Sequence, residues 1–100
     1  MAKPGEGVAT KPKTELRPPP MFKVLLHNDD YTTMDFVVSV LQSVFHKPVE
    51  KAIRIMLEVH QVGIGIAGVY TAEVAETKID TVHAFAEESG FPLRCSMEPE

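Results

Sequence analysis

The sequence predicts a small α/β sandwich of order β-α-α-β-α-β, preceded by a proline-rich arm. Three observations predict it. Short apolar runs near residues 21–27, 64–70 and 93–97 alternate with longer stretches whose apolar residues recur at helical spacing. Capping residues stand at the joints between these segments. Composition also shifts after Pro20, since five of the eight prolines lie in the first 20 residues and few apolar residues do. Strands this few, interleaved with amphipathic helices, must pack as one sheet with the helices on one face.

The elements follow in order. Residues 1–20 cannot bury enough apolar surface to offset the entropy of ordering them, so they are expected to be a disordered or extended arm. They lack the apolar stretch of a secretory signal. Residues 21–100 are expected to form one domain with a single modest core. Met21 to His27 reads as a strand, broken by Asn28-Asp29-Asp30, whose side chains favour turns. Thr32 is the expected N-cap of the first helix, with Asp35 three residues on and an apolar face of Phe36, Val37, Val40, Leu41, Val44 and Phe45. That helix is expected to end near His46-Lys47. Pro48 is expected at the first position of the second helix, which carries Val49, Ala52, Ile53, Met56, Val59 and His60 and closes at Gly63. Residues 64–70 form a second strand loosened by glycines. Thr71 caps a third helix that ends at Gly90, and Leu93 to Met97 alternate as a last strand.

Composition excludes several classes of function. The chain is 44% hydrophobic and 24% charged, as suits a globular domain, and no apolar run approaches the ~20 residues of a membrane span. A net charge of −4 argues against general nucleic-acid binding, which needs a surplus of Lys and Arg. The arm carries four basic and two acidic side chains, whereas residues 21–100 carry six basic and twelve acidic. One cysteine makes neither a disulfide framework nor a cysteine-based zinc site. His27, His46, His60 and His83 are 19, 14 and 23 residues apart, unlike a helical zinc motif. Asn28, Asp30 and Thr32 mimic the start of a calcium loop. Thr33 stands where that loop needs glycine, and Ser39 where it needs glutamate. No phosphate-binding glycine loop is present, and Cys95 reads as a small buried residue rather than a nucleophile. No metal or cofactor is expected.

Two features remain: Asn28-Asp29-Asp30 directly after a strand, and Met56-Leu57-Glu58-Val59-His60 on a helix, where Met56 and His60 share a face. They can be turn residues, a core methionine and a helix-end histidine with no joint role. Alternatively they form one site, in which a carboxylate and an amide beside a histidine are bordered by apolar side chains. Such a site suits a cation attached to an apolar group, and an N-terminal amino acid is one such ligand.

The chain resembles the ClpS family of Clp protease adaptors. The resemblance rests on Met21-Phe22-Lys23-Val24, Asn28-Asp29-Asp30-Tyr31-Thr32-Thr33-Met34, Met56-Leu57-Glu58-Val59-His60, Gly68 through Lys78, and Pro92-Leu93, collinear through residues 21–98. It implies a three-stranded antiparallel sheet packed against three helices, and a protein that is not an enzyme. The implied partners are N-degron peptides and proteins, together with the N-terminal domain of ClpA or a related Clp AAA+ unfoldase, in a bacterial cytoplasm. Asn28, Asp29 and His60 would bind the substrate's free α-amino group. Asp30, Thr32, Met34, Val37, Met56, Val59 and Leu93 would surround a large hydrophobic side chain (Leu, Phe, Tyr or Trp). Met34 would be the neck that excludes Val and Ile, and Glu73 and Lys78 would contact the unfoldase, which would also engage the arm. Thr33 stands where the family often has proline, a change expected to spare the pocket. Arg94 at the rim and Glu58 on the second helix would tune preference for the substrate's second residue. An alternative is a small α/β interaction module of the ribosomal factor-docking type, without N-degron binding.

Overall fold

The computed structural model describes residues 17–100. The elements are β1 (Met21–His27), α1 (Met34–Ser43), α2 (Val49–Val62), β2 (Ile64–Thr71), α3 (Ala72–Ser89) and β3 (Arg94–Pro99), in the expected order. Most of the expected arm, residues 1–16, lies outside the described residues; residues 17–20 are exposed and without regular structure.

The three strands pair antiparallel in the order β2-β1-β3, so the first strand of the chain is the central one. Strand alternation sends Val24 and Leu26 to one face, where both are fully buried against the helices. A register shift in the β1–β2 ladder puts Gly68 opposite Val24 but Ile66 opposite Leu25. The extra residue, Ala67, is fully buried in the core. α3 packs across all three strands, while α2 packs on β2 and on α1. The core joins Val37, Val40 and Leu41 of α1, Ala52 and Val59 of α2 and Ala75, Val82 and Ala86 of α3 to the sheet.

Several boundaries differ from expectation, each for a local reason. The N-cap of α1 is Thr33, not Thr32, and its hydroxyl accepts the Phe36 N–H at 3.1 Å. The Thr32 hydroxyl is turned instead toward Asp29, donating to Oδ2 at 2.7 Å. α1 ends at Ser43 rather than near His46-Lys47, because the chain turns at Val44 and Phe45 and His46 adopts φ +56°. That reversal buries Phe45 at 3% exposure. Pro48 is the N-cap of α2, one position before the helix begins. Gly63 (φ +102°) and Gly90 (φ +81°) close α2 and α3 in the left-handed conformation, as expected. β3 starts one residue late, at Arg94, with Leu93 just before it buried in the core.

Candidate functional site

The site is assembled where β1 ends beside the end of α2. The Asn28 N–H donates to the Gly63 carbonyl at 3.0 Å, and the Gly63 N–H closes α2 on the Val59 carbonyl at 2.9 Å. This staple lays the polar loop 28–33 against the last turns of α2, which carry Met56, Val59 and His60. Gly63 makes the staple possible, because its φ of +102° is a conformation that costs any other residue about 1 kcal/mol or more.

Within the loop Asp29 is the organiser. Its Oδ1 accepts the N–H groups of Tyr31 (2.8 Å) and Thr32 (2.7 Å), and its Oδ2 accepts the Thr32 hydroxyl (2.7 Å). Burial pushes the carboxyl pKa up. The Thr32 hydroxyl and the Thr32 and Tyr31 amides outweigh that effect and hold it below its ordinary value of 3.8. A carboxylate offers about four acceptor positions. With Oδ1 accepting twice and Oδ2 once, an acceptor position remains on Oδ2.

A cavity of about 430 Å³ opens between this loop, the start of α1 and the end of α2. Asn28, Asp29, Asp30, Thr32, Met34, Val37, Met56, Val59 and His60, all expected at the site, line it together. Leu93 does not line it and belongs to the core behind. Tyr31 and Thr33 line it as well. Thr33 was expected to leave the pocket untouched, but as the α1 cap it stands between Thr32 and Met34 in the wall. Tyr31 was not expected; the signal for it was an aromatic residue set within a polar turn. Glu58 and Arg94 are exposed and outside the lining. The walls combine carboxylates, an amide and an imidazole with methionine and valine, and no Lys or Arg is among them. Such a cavity can take a cation on an apolar body.

The remaining candidates lie elsewhere. Glu73 is exposed at the start of α3 and borders two shallow hollows, one with Val74, Thr77 and Lys78, the other with Pro19, Pro20, Thr71 and Ala72. Lys78 is half-buried: its Nζ donates to the Val44 carbonyl at 2.8 Å and lies 5.8 Å from the Phe45 ring and 5.3 Å from the Tyr70 ring. Lys78 therefore ties α3 to the turn after α1. Cys95 does meet a histidine, but through its backbone: its N–H donates to His83 Nε2 at 3.1 Å. Burial pushes the Cys95 thiol up to about 12. Among the described residues no group of three His, Cys, Asp or Glu is placed to hold a metal ion. Nor is any helix among them long and apolar enough to cross a membrane.

Comparison with known proteins gives a consistent result. A family model described as ATP-dependent Clp protease adaptor protein ClpS matches residues 17–96. The ATP-dependent Clp protease adapter protein ClpS of Desulfatibacillum aliphaticivorans is 69% identical over 93 residues, covering 93% of this chain and 89% of that one. Its counterpart in Myxococcus xanthus is 63% identical over 89 residues, covering 89% of this chain and 83% of that one. The solved structure of Agrobacterium tumefaciens ClpS2 bound to L-phenylalaninamide is similar at a TM-score of 0.79 and 38% identity. It covers 83% of this chain and 100% of its own. The fold, the motifs that line the cavity and these relatives agree, and the chain belongs to the ClpS family of Clp protease adaptors, which are not enzymes.

Proposed function

We propose that this adaptor holds the first residue of an N-degron, recognising a free α-amino group next to a large hydrophobic side chain (Leu, Phe, Tyr or Trp). The observation that carries this reading is the single cavity bringing Asn28, Asp29 and His60 together with Met34, Val37, Met56 and Val59. Phenylalaninamide, the ligand of the similar ClpS2, is a free amine on an aromatic residue. In this reading the amine takes the remaining acceptor position on Asp29 Oδ2, the Asn28 side-chain carbonyl and a ring nitrogen of His60. The side chain enters between the methionines and valines.

The chemistry makes the two requirements interdependent. A free α-amine, with a reference pKa of ~7.7–8.0, is mostly charged at neutral pH, whereas an acetylated nitrogen is neutral. Charge-assisted hydrogen bonds contribute ~1.5–3 kcal/mol each, and burial of a Leu or Phe side chain adds a similar amount. Neither alone overcomes the loss of translational and rotational freedom on binding, so both are needed together.

The adaptor then delivers its cargo to the N-terminal domain of a ClpA-type AAA+ unfoldase in the bacterial cytoplasm. The surface around Glu73, continuous from Pro19 and Pro20 to Thr77 and Lys78, is the proposed docking face. Residues 1–20 are proposed as a separate arm used in hand-off. A chain beginning at Met21 is expected to bind Leu-peptides normally but to fail to deliver them, and normal degradation of a reporter would refute that role. The recognition step itself is tested with two peptides that begin with Leu, one free and one N-acetylated. Binding of only the free peptide supports the reading, and equal binding of both overturns it.

A further inference from the structure

Tyr31 is 76% exposed, the most open large apolar side chain among the described residues, yet it lines the cavity. Four other aromatic rings are paired within the fold. Phe36 and Phe91 pack at 4.8 Å, Phe45 and Tyr70 at 6.3 Å, and Tyr31 belongs to neither pair. Its backbone is nevertheless held, because its N–H donates to Asp29 Oδ1 at 2.8 Å. A ring in water at the mouth of a cavity, on a backbone pinned to the group proposed to hold the ligand's amine, is placed to meet what leaves that cavity.

We propose that Tyr31 is a stacking platform for the second residue of the bound chain and that it favours arginine there. The inference rests on the N-degron reading given above and extends it by one residue. The geometry sets the reach. An amine hydrogen-bonded to Asp29 lies within about 6–8 Å of the Tyr31 nitrogen, given hydrogen bonds of about 2.8 Å on either side of the carboxylate. The second residue's Cα lies about 5 Å from that amine, given the standard 3.8 Å between successive Cα atoms. A tyrosine side chain and an arginine side chain, each reaching about 6–7 Å, span that separation.

Charge selects among the side chains that reach. Asp29 and Asp30 line the cavity and no Lys or Arg does, so a cation is favoured and a carboxylate disfavoured. That effect alone treats lysine and arginine alike. The ring does not, because a planar guanidinium stacks flat on an aromatic face while an ammonium remains more strongly hydrated. The difference between arginine and lysine at position two therefore reports Tyr31 rather than the carboxylates.

The test uses three free-amine peptides with Leu first and Arg, Lys or Ala second, identical thereafter. They are titrated by fluorescence anisotropy against the full chain and its Tyr31→Ala and Tyr31→Phe variants. In the native chain arginine is expected to bind about threefold tighter than lysine, the scale of an exposed cation–π contact, and lysine tighter than alanine. Tyr31→Ala brings arginine to the level of lysine, and Tyr31→Phe restores the difference. Equal binding of arginine and lysine by the native chain overturns the proposal, as does an arginine-to-lysine ratio that survives in Tyr31→Ala. A Tyr31→Ala chain that loses all three peptides alike overturns it too, because the role assigned is confined to the second residue. Failure of the native chain to bind any of the three instead overturns the N-degron reading on which the proposal rests.

Discussion

Thr32 holds both oxygens of Asp29, its hydroxyl on Oδ2 at 2.7 Å and its amide N–H on Oδ1 at 2.7 Å. The carboxylate proposed to meet the substrate is therefore also the brace of its own loop. Its folded-state pKa lies below the ordinary value because these donors favour the charged form. The stabilisation that follows is present above the unfolded-state pKa of ~3.9 and is lost as pH falls through the lower folded value. Thr32→Val removes one donor and raises that folded value. At pH 7 the variant is expected to lose about 1 kcal/mol in urea unfolding. The native and variant curves converge as pH falls below ~3.9 and through the native chain's lower folded value.

Asp29→Ala is expected to weaken binding of a Leu-first peptide more than tenfold by fluorescence anisotropy. Asp29→Asn separates charge from bracing, because its amide oxygen still accepts the Tyr31 and Thr32 N–H groups that now meet Oδ1. It should keep the fold and still lose most of the affinity. A loss below twofold in Asp29→Ala would remove this residue from the amine site.

Met34 is 45% exposed and lines the cavity, so its side chain can be shortened without opening the core. Val and Ile are wide and stiff at Cβ, whereas Leu, Phe, Tyr and Trp branch further out and pass a narrow neck. Met34→Ala is expected to admit peptides beginning with Ile or Val. Unchanged selectivity would place the neck elsewhere.

Gly65 lies behind the cavity wall. A Cβ there would stand 2.7 Å from Val59 Cγ2 and 3.3 Å from the Ile55 carbonyl oxygen. Val59 is 2% exposed and lines the cavity, so it cannot yield without moving that wall. Gly65→Ala is expected to destabilise by about 1–3 kcal/mol, the usual cost of overpacking, and to weaken peptide binding although it touches no ligand. Full affinity in a destabilised variant would show that Val59 yields away from the cavity.

Cys95 is buried, with its thiol pushed up to about 12, and remains protonated at neutral pH. A thiol reagent is expected to leave the native chain unlabelled and to label it once denaturant unfolds the core. Cys95→Ala should change peptide affinity by less than twofold. Rapid labelling of the folded chain would contradict the burial.

Element order and most joints were legible because they depend on neighbours in sequence. Gly63 and Gly90 close their helices as the spacing predicts. Two adjacent threonines precede α1, and spacing alone does not separate them: the Thr32 hydroxyl turns back to Asp29 Oδ2 while the Thr33 hydroxyl accepts the Phe36 N–H. The end of α1 was placed late because Val44 and Phe45 continue its apolar period, yet they lie in a turn that buries Phe45. The motifs brought nine of the expected residues to one cavity, but Leu93 fell outside its lining. Lys78 on the Val44 carbonyl and His83 on the Cys95 amide were not legible. Both join residues whose spacing in sequence carries no sign of their meeting.

The staple between Asn28 and Gly63 has a thermodynamic consequence. Asn28 and His60 stand more than thirty residues apart in the chain, on segments that meet only when β1 and α2 are both in place. On the proposed reading a partly folded adaptor holds neither half of an N-degron usefully, so competence to capture cargo arrives with global folding rather than ahead of it. Cargo in turn acts as a folding ligand: at a hundred times its dissociation constant it stabilises the native state by about 2.7 kcal/mol. An adaptor that has captured its substrate is thereby better protected against unfolding than an empty one.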